Sequence, residues 1–128
     1  MIAQKLKFQR TLVIEEVKIL AGQTQSNILN CGGMQLRNIL LPANWTTTDL
    51  KFFCSENLSG TPSYVIKNFD GVSLADFAFP GATASSAIPL IPYFFDSLSY
   101  VQLTSVTPQA SDVIIKMVLQ PIYQGIHA

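Results

Sequence analysis

His127, one residue from the C-terminal end, is the only histidine in the chain. A Ser-His or Cys-His nucleophile pair would hang on a tail expected to fray, which removes that mechanism. The carboxylates Asp49, Glu56, Asp70, Asp76, Asp96 and Asp112 fall mostly at strand starts, strand ends and turns, where solvated or turn-capping roles are usual. The pairing that glycoside hydrolysis needs is set in space, and no spacing here singles out two of them. Cys31 and Cys54 stand 23 apart with no Cys-x-x-Cys and no histidine nearby, so neither a disulfide framework nor a zinc site is indicated. Both are expected reduced and unlinked, Cys54 as a small core residue on a strand and Cys31, beside Gly32 and Gly33, in a loop. A Gly-rich phosphate loop, His-Glu-x-x-His and EF-hand spacing are all absent. The chain is therefore read as a non-enzyme with no catalytic residues, metal or cofactor.

Aromatic and basic residues are the remaining leads. Trp45 follows Leu41-Pro42-Ala43-Asn44 and is read as a lid on a core, the alternative being a sugar platform shared with Tyr64, Tyr93 or Tyr100. Tyr93-Phe94-Phe95 is a compact cluster beside Pro92 that either closes one end of the fold or adds to an apolar contact patch. Through Lys18 there are four bases (Lys5, Lys7, Arg10, Lys18) against two acids, a net +2; from Asp49 onward three bases face six acids, a net −3. A nucleic-acid binder would carry a basic stripe with aromatics, and the body here is slightly acidic, so none is expected. Residues 1–20 are either an arm docking on a neighbour, with Lys5, Lys7 and Arg10 supplying charge and Val13, Val17 and Ile19 the register, or the first strand of the fold itself.

The elements that must position these residues are strands, because the apolar period is two far more often than 3.6. Asp49–Ser55 sets Leu50, Phe52 and Cys54 against Asp49, Lys51 and Ser55, with only Phe53 out of pattern and expected to seek a partner. Asp112–Gln120 carries Val113, Ile115, Met117 and Leu119 on one face and Ile114 and Val118 on the other, which predicts a central strand buried on both sides. Ser99–Val106 alternates as well. Weaker candidates are Leu12–Leu20, Gln35–Leu41, Ser63–Lys67, Val72–Phe79 and Ala87–Tyr93, making about eight. Asp70-Gly71 marks a tight hairpin, and Pro89 and Pro92 send the sixth strand to an edge or break it. The polar, Gly-containing stretch 21–34, at 14 residues, sets the first strand apart from the rest, and Pro80–Ser86 reads as an exposed loop.

With 128 residues, 48% apolar and only 12% charged at zero formal charge, the whole of 1–128 is expected to be a single domain with its own core. So few charges leave either Ser, Thr, Asn and Gln to solvate the outside or other subunits to cover it. A dimer or trimer is the common solution. No apolar stretch approaches a membrane span, and Glu15, Glu16 and Lys18 interrupt the apolar run that begins at Leu12. The same charges spoil a signal-peptide core, so neither a membrane nor secretion is expected.

Leu36-Arg37-Asn38-Ile39-Leu40-Leu41-Pro42-Ala43-Asn44-Trp45-Thr46, followed by Asp49-Leu50-Lys51-Phe52 and Ser55, resembles a group of small bacteriophage virion proteins. In that group a Leu-Pro-x-x-Trp-Thr segment leads into a Leu-x-Phe-x-x-Ser strand, an Asp-Gly hairpin and a late strand ending near proline, here Asp70-Gly71 and Val113–Pro121. The resemblance covers roughly residues 35–121; where the group tends to carry an Arg-rich penultimate strand, this chain has Tyr100-Val101-Gln102-Leu103-Thr104. The resemblance implies a virion component made in the host cytoplasm: a capsid decoration or cement protein touching itself and the major capsid protein, or a tail, neck or fibre component. The competing class is a carbohydrate-binding module. Either would use the expected fold, an all-β antiparallel sandwich of jelly-roll type whose last strand and Leu50-Phe52-Cys54 strand form opposite walls.

Overall fold

The computed structural model describes residues 12–55, 64–69, 72, 74–90 and 99–121. Eleven strands form among them: β1 (Val13–Ile19), β2 (Leu29–Asn30), β3 (Met34–Leu40), β4 (Thr48–Ser55), β5 (Tyr64–Val65), β6 (Lys67–Phe69), β7 (Leu74–Asp76), β8 (Ala78–Ala82), β9 (Ala87–Pro89), β10 (Tyr100–Ser105) and β11 (Val113–Pro121). One sheet has the order β1-β11-β3-β9; the other runs β2-β10-β4-β5, with β8 also on β4. Every pairing is antiparallel.

Eight of these strands, β1 to β4 and β8 to β11, make a jelly roll. The chain alternates between sheets except at β4 and β8, which pair with each other in the second sheet, and β1 pairs with β11, the mark of nested Greek keys. The expected sandwich is present, with β11 and β4 in opposite walls. Leu36, Ile39, Ile115, Met117 and Leu119 from one sheet face Leu50, Phe52, Val101 and Leu103 from the other, all essentially sealed from solvent. The three additional strands lie between β4 and β8: β5 prolongs the β4 edge, while β6 and β7 pair only with each other. The flanks of the Asp70-Gly71 turn are thus a hairpin, with Phe69 paired to Leu74; the turn residues Asp70 and Gly71 lie outside the described set.

Several local readings are corrected by pairing that alternation alone does not reveal. β11 is central, between β1 and β3, but only its odd positions are buried, and Ile114 is exposed. Its second apolar face therefore marks an uncovered surface rather than a second core. β3 buries Leu36 and Ile39, three apart, because the register shifts between Val118 and Leu119. A bulge of this kind sets two residues against one and resets which side faces inward.

The stretch 21–34 does not set β1 apart; it carries the edge of the second sheet. Gln25 bridges Thr104, Ser26 N–H donates to the Leu103 carbonyl at 3.0 Å, and β2 pairs with β10. Pro80–Ser86 is a loop only from Thr83, since β8 runs through Ala82, which is buried. β9 sits at a sheet edge, where Pro89 costs no ladder bond.

Cys31 is in a loop and Cys54 on a strand packed against the core, as expected, but the loop cysteine is the more deeply buried. Cys31 is buried and Cys54 only partly so. Cys31 begins the turn Cys31-Gly32-Gly33-Met34, closed by Met34 N–H on the Cys31 carbonyl at 2.9 Å. Gly32 and Gly33 have φ of 58° and 79°, left-handed values that glycine adopts without strain. The turn carries the chain from one sheet to the other and presses the Cys31 thiol inward, where burial pushes its pKa up to about 11. Both thiols are free. Cys54 lies opposite Val101, which lies opposite Leu29, so two strand spacings of about 4.8 Å separate Cys54 from the strand leading to Cys31, beyond disulfide reach.

Candidate assembly surface

Of the residues expected to form contacts, Lys5, Lys7, Arg10, Tyr93, Phe94 and Phe95 lie outside the described residues, as does His127. Val17 and Ile19 are in the chain's own core, and Val13 packs against it. The ladder partners of Val13, Val17 and Ile19 are Leu119, Ile115 and Val113 of β11. They are therefore not a face for a neighbour: residues 13–19 are the first strand of this sandwich, the second of the two readings. Phe53 is half-buried on the outer side of β4, between Gln102 and Val65 across the ladders, so part of its surface is already covered within the chain.

Once Val17 and Ile19 face inward, the pleat turns Ile14, Glu16 and Lys18 outward. Ile14 is 56% exposed and lies opposite Val118 in the ladder; Leu12, just before the strand, is 55% exposed, and Ile114, opposite Lys18, is exposed further along the outer face. Glu16 lies directly opposite Lys116 in the ladder. The resulting surface has apolar groups on both sides of a pair of opposite charges. Fixing which strand carries the other side of each pair would have exposed it in the sequence, and ladder register is what residue patterns do not supply.

β1 ends its sheet, and no other described strand pairs with its far side. Lys18 N–H donates not to β11 but to Asn27 Oδ1, at 2.7 Å. The backbone groups of Lys18, and by alternation those of Glu16 and Ile14, therefore point away from β11. Asn27 caps the far end of this edge. Beside the cap lies an open depression of about 390 Å³ lined by Lys18, Leu20, Gln23, Gln25, Ser26 and Asn27. Its polar groups are amides, one hydroxyl and one ammonium, a set that offers neither a nucleophile–base pair nor a carboxylate pair.

A second exposed apolar group rides on the β6–β7 hairpin. Val72 is 90% exposed, and Leu74 and Tyr64 are also open. Asp76 ties the hairpin to the sandwich, accepting from Lys67 Nζ within the hairpin and from Lys51 Nζ of β4 at 3.1 Å. The hydrogen bond from Lys67, then that from Lys51, hold the Asp76 carboxyl below its ordinary value. Because the folded pKa is depressed, this anchor is present above the ordinary carboxylate range and is lost as pH falls through the lowered value. Asp76→Asn should speed hydrogen exchange in β6 and β7 while leaving β11 unchanged. Equal exchange in variant and parent would show that the ion pairs do not hold the hairpin.

Trp45 is buried, 4% exposed, and its indole N–H donates to the Ala82 carbonyl at 3.0 Å. That is the lid reading, and it leaves no indole face for a sugar. Among the described residues no cluster of three or more His, Cys, Asp or Glu side chains could hold a metal ion, and no helix is long and apolar enough to cross a membrane.

No family model matches the chain, and no curated protein sequence does. Among solved structures, the crystal structure of SPBc2 prophage-derived protein YomS is similar with a TM-score of 0.47 at 10% identity, over 84% of this chain and 95% of that one. The crystal structure of the Yersinia pseudotuberculosis-derived mitogen is similar with a TM-score of 0.41 at 9% identity, over 93% and 92%. At these scores neither likeness bears on what the chain does.

Proposed function

We propose that the chain is a non-enzymatic structural subunit of a bacteriophage particle, most simply a capsid decoration or cement protein held among neighbouring subunits. The observation that carries this reading is the outer face of β1 and β11. A chain with 12% charged residues places Leu12, Ile14 and Ile114 on one open sheet surface. Apolar groups grouped in this way belong against another protein. The resemblance of residues 35–121 to small virion proteins supplies the kind of assembly, with the major capsid protein as the second partner. The carbohydrate-binding alternative loses Trp45, whose ring is turned into the core, and keeps Tyr64, which is exposed on β5.

The test is composition of purified particles. Phage particles banded by density and analysed by mass spectrometry should contain the chain at a fixed ratio to the major capsid protein, retained through repeated banding. Its absence from intact particles, with the chain present in the lysate, would overturn the reading.

A further inference from the structure

We propose that the outer face of β1 and β11 is a contact between two copies of the chain, stacked face to face about a twofold axis that runs along the strands between β1 and β11. The inference deepens the particle reading and rests on its premise that this face meets another protein; what it adds is the partner.

Ile14, Glu16 and Lys18 of β1 lie opposite Val118, Lys116 and Ile114 of β11. All six are on the outer side of the sheet, and all but the half-buried Val118 are exposed. Glu16 and Lys116 face each other across the ladder, yet they form no ion pair: the ion pairs among the described residues are Lys18–Asp112, Lys51–Asp76 and Lys67–Asp76. Two unlike charges left open in the middle of an exposed face, with an isoleucine toward either end, suit a partner that brings the opposite charges and apolar flanks of its own.

A second copy is the occupant because this face complements itself. In the aligned packing of sheets, two copies stack outer face on outer face about a twofold axis lying in the plane between them, along the strands or across them. An axis across the strands at the Glu16–Lys116 row sets each charge on its own copy. Moved to fall between rows, it sets Lys116 on Val118 or on Ile114. An axis along the strands over β1 sets Glu16 on itself, and one over β11 sets Lys116 on itself. One between β11 and β3 puts Lys116 on Leu40 and Glu16 on Ala87, which strips water from both charges and returns no partner.

An axis between β1 and β11 has none of these faults. Glu16 of each copy meets Lys116 of the other, and Ile14 of each meets Val118 of the other. Lys18 covers Ile114 of the other copy with its methylene stem, its ammonium drawn toward Asp112 of its own chain at 3.8 Å. The seven paired residues of β1 and β11 make a face of about 10 by 23 Å. So small a contact gives a weak dimer.

Sedimentation equilibrium of the full chain at several hundred micromolar should show monomer and dimer in exchange, with less dimer at high salt. Glu16→Lys sets ammonium against ammonium at both contacts, and Lys116→Glu sets carboxylate against carboxylate, so each variant alone should dimerise about tenfold more weakly or worse. Mixed in equal amounts, the two variants should recover the dimer, since both contacts between copies then join unlike charges. Mixing does not relieve the like pair inside each variant's own ladder, so recovery reports the contact between copies. A chain carrying both substitutions keeps the parent's net charge and should dimerise like the parent, which separates this contact from general attraction between oppositely altered chains. Retained far-UV circular dichroism shows that each variant is folded. A parent chain that stays monomeric, single variants that dimerise like the parent, or a mixture no more dimeric than its components would each overturn the proposal. Particle composition is read separately: a monomer found at fixed ratio in particles overturns the dimer alone, and a dimer absent from particles overturns the particle reading alone.

Discussion

Trp45→Ala should lower the stability of the fold by about 3 to 5 kcal/mol, the usual cost of truncating a large buried aromatic. The indole closes the sandwich where the turn from Pro42 enters β4, and its N–H satisfies the carbonyl of Ala82 on β8. Truncation opens a cavity and leaves that carbonyl without its donor. Trp45→Phe keeps most of the volume but not the donor, so its loss should be smaller and should reflect mainly the unmet carbonyl. Denaturant melts of the two variants against the parent give the comparison. An unchanged midpoint for Trp45→Ala would mean that the ring is not a lid.

Gln109→Ala should cost about 2 to 4 kcal/mol, because one buried side chain serves both backbone groups of the half-buried Thr46. Gln109 is 1% exposed. Its Oε1 accepts from Thr46 N–H at 2.8 Å and its Nε2 donates to the Thr46 carbonyl at 3.4 Å. Its own backbone holds Gly22 N–H and the Gln23 carbonyl. Around it Thr46 Oγ1 accepts from Ala110 N–H, and Thr48 Oγ1 from Thr107 N–H. Three loops, those after β1, before β4 and before β11, are thereby fastened at one end of the sandwich by side-chain and backbone bonds. Gln109→Glu preserves the shape and supplies only acceptors when ionised, so it should be destabilised at neutral pH and recover part of the loss below about pH 4. Chemical denaturation at two pH values checks both variants; equal stability of Gln109→Ala and the parent would show that the loops hold without this bridge.

Strand identity was legible in the residues wherever one face is sealed and the other wet. Leu50 and Phe52 of β4 alternate with less buried neighbours, and Val101 and Leu103 of β10 also sit where the period of two puts them, although Gln102 between them is buried as well. What the residues could not convey is which strand lies on the other side. Ile114 and Val118 look like a second buried face until β11 is placed in a sheet with an uncovered outer surface. Residues 21–34 look like a detached connection because their ladder partner, β10, lies about seventy residues or more further along. The deep burial of Cys31 has the same origin: a turn of two left-handed glycines can press its first residue into a core, and that depends on how the sheets stack. The contact residues were misjudged for the converse reason. Val17 and Ile19 are apolar because they belong to this core, whereas Leu12 and Ile14, a few positions earlier in sequence, carry the outward surface.

The pairing of β1 with β11 also sets the order of events during synthesis. Val13 meets Leu119 and Ile19 meets Val113, partners about a hundred residues apart. At ordinary translation rates of roughly 5 to 20 residues per second, β1 leaves the ribosome several seconds before the strand that covers it exists. Throughout that interval Val17 and Ile19 are bare, and β3 lacks the same neighbour, since β11 fills the gap between them. One sheet therefore stays open until β11 emerges. Nascent chains halted before residue 113 should be bound by chaperones and cut by protease along β1 and β3, and should gain protection in both at once when β11 is released.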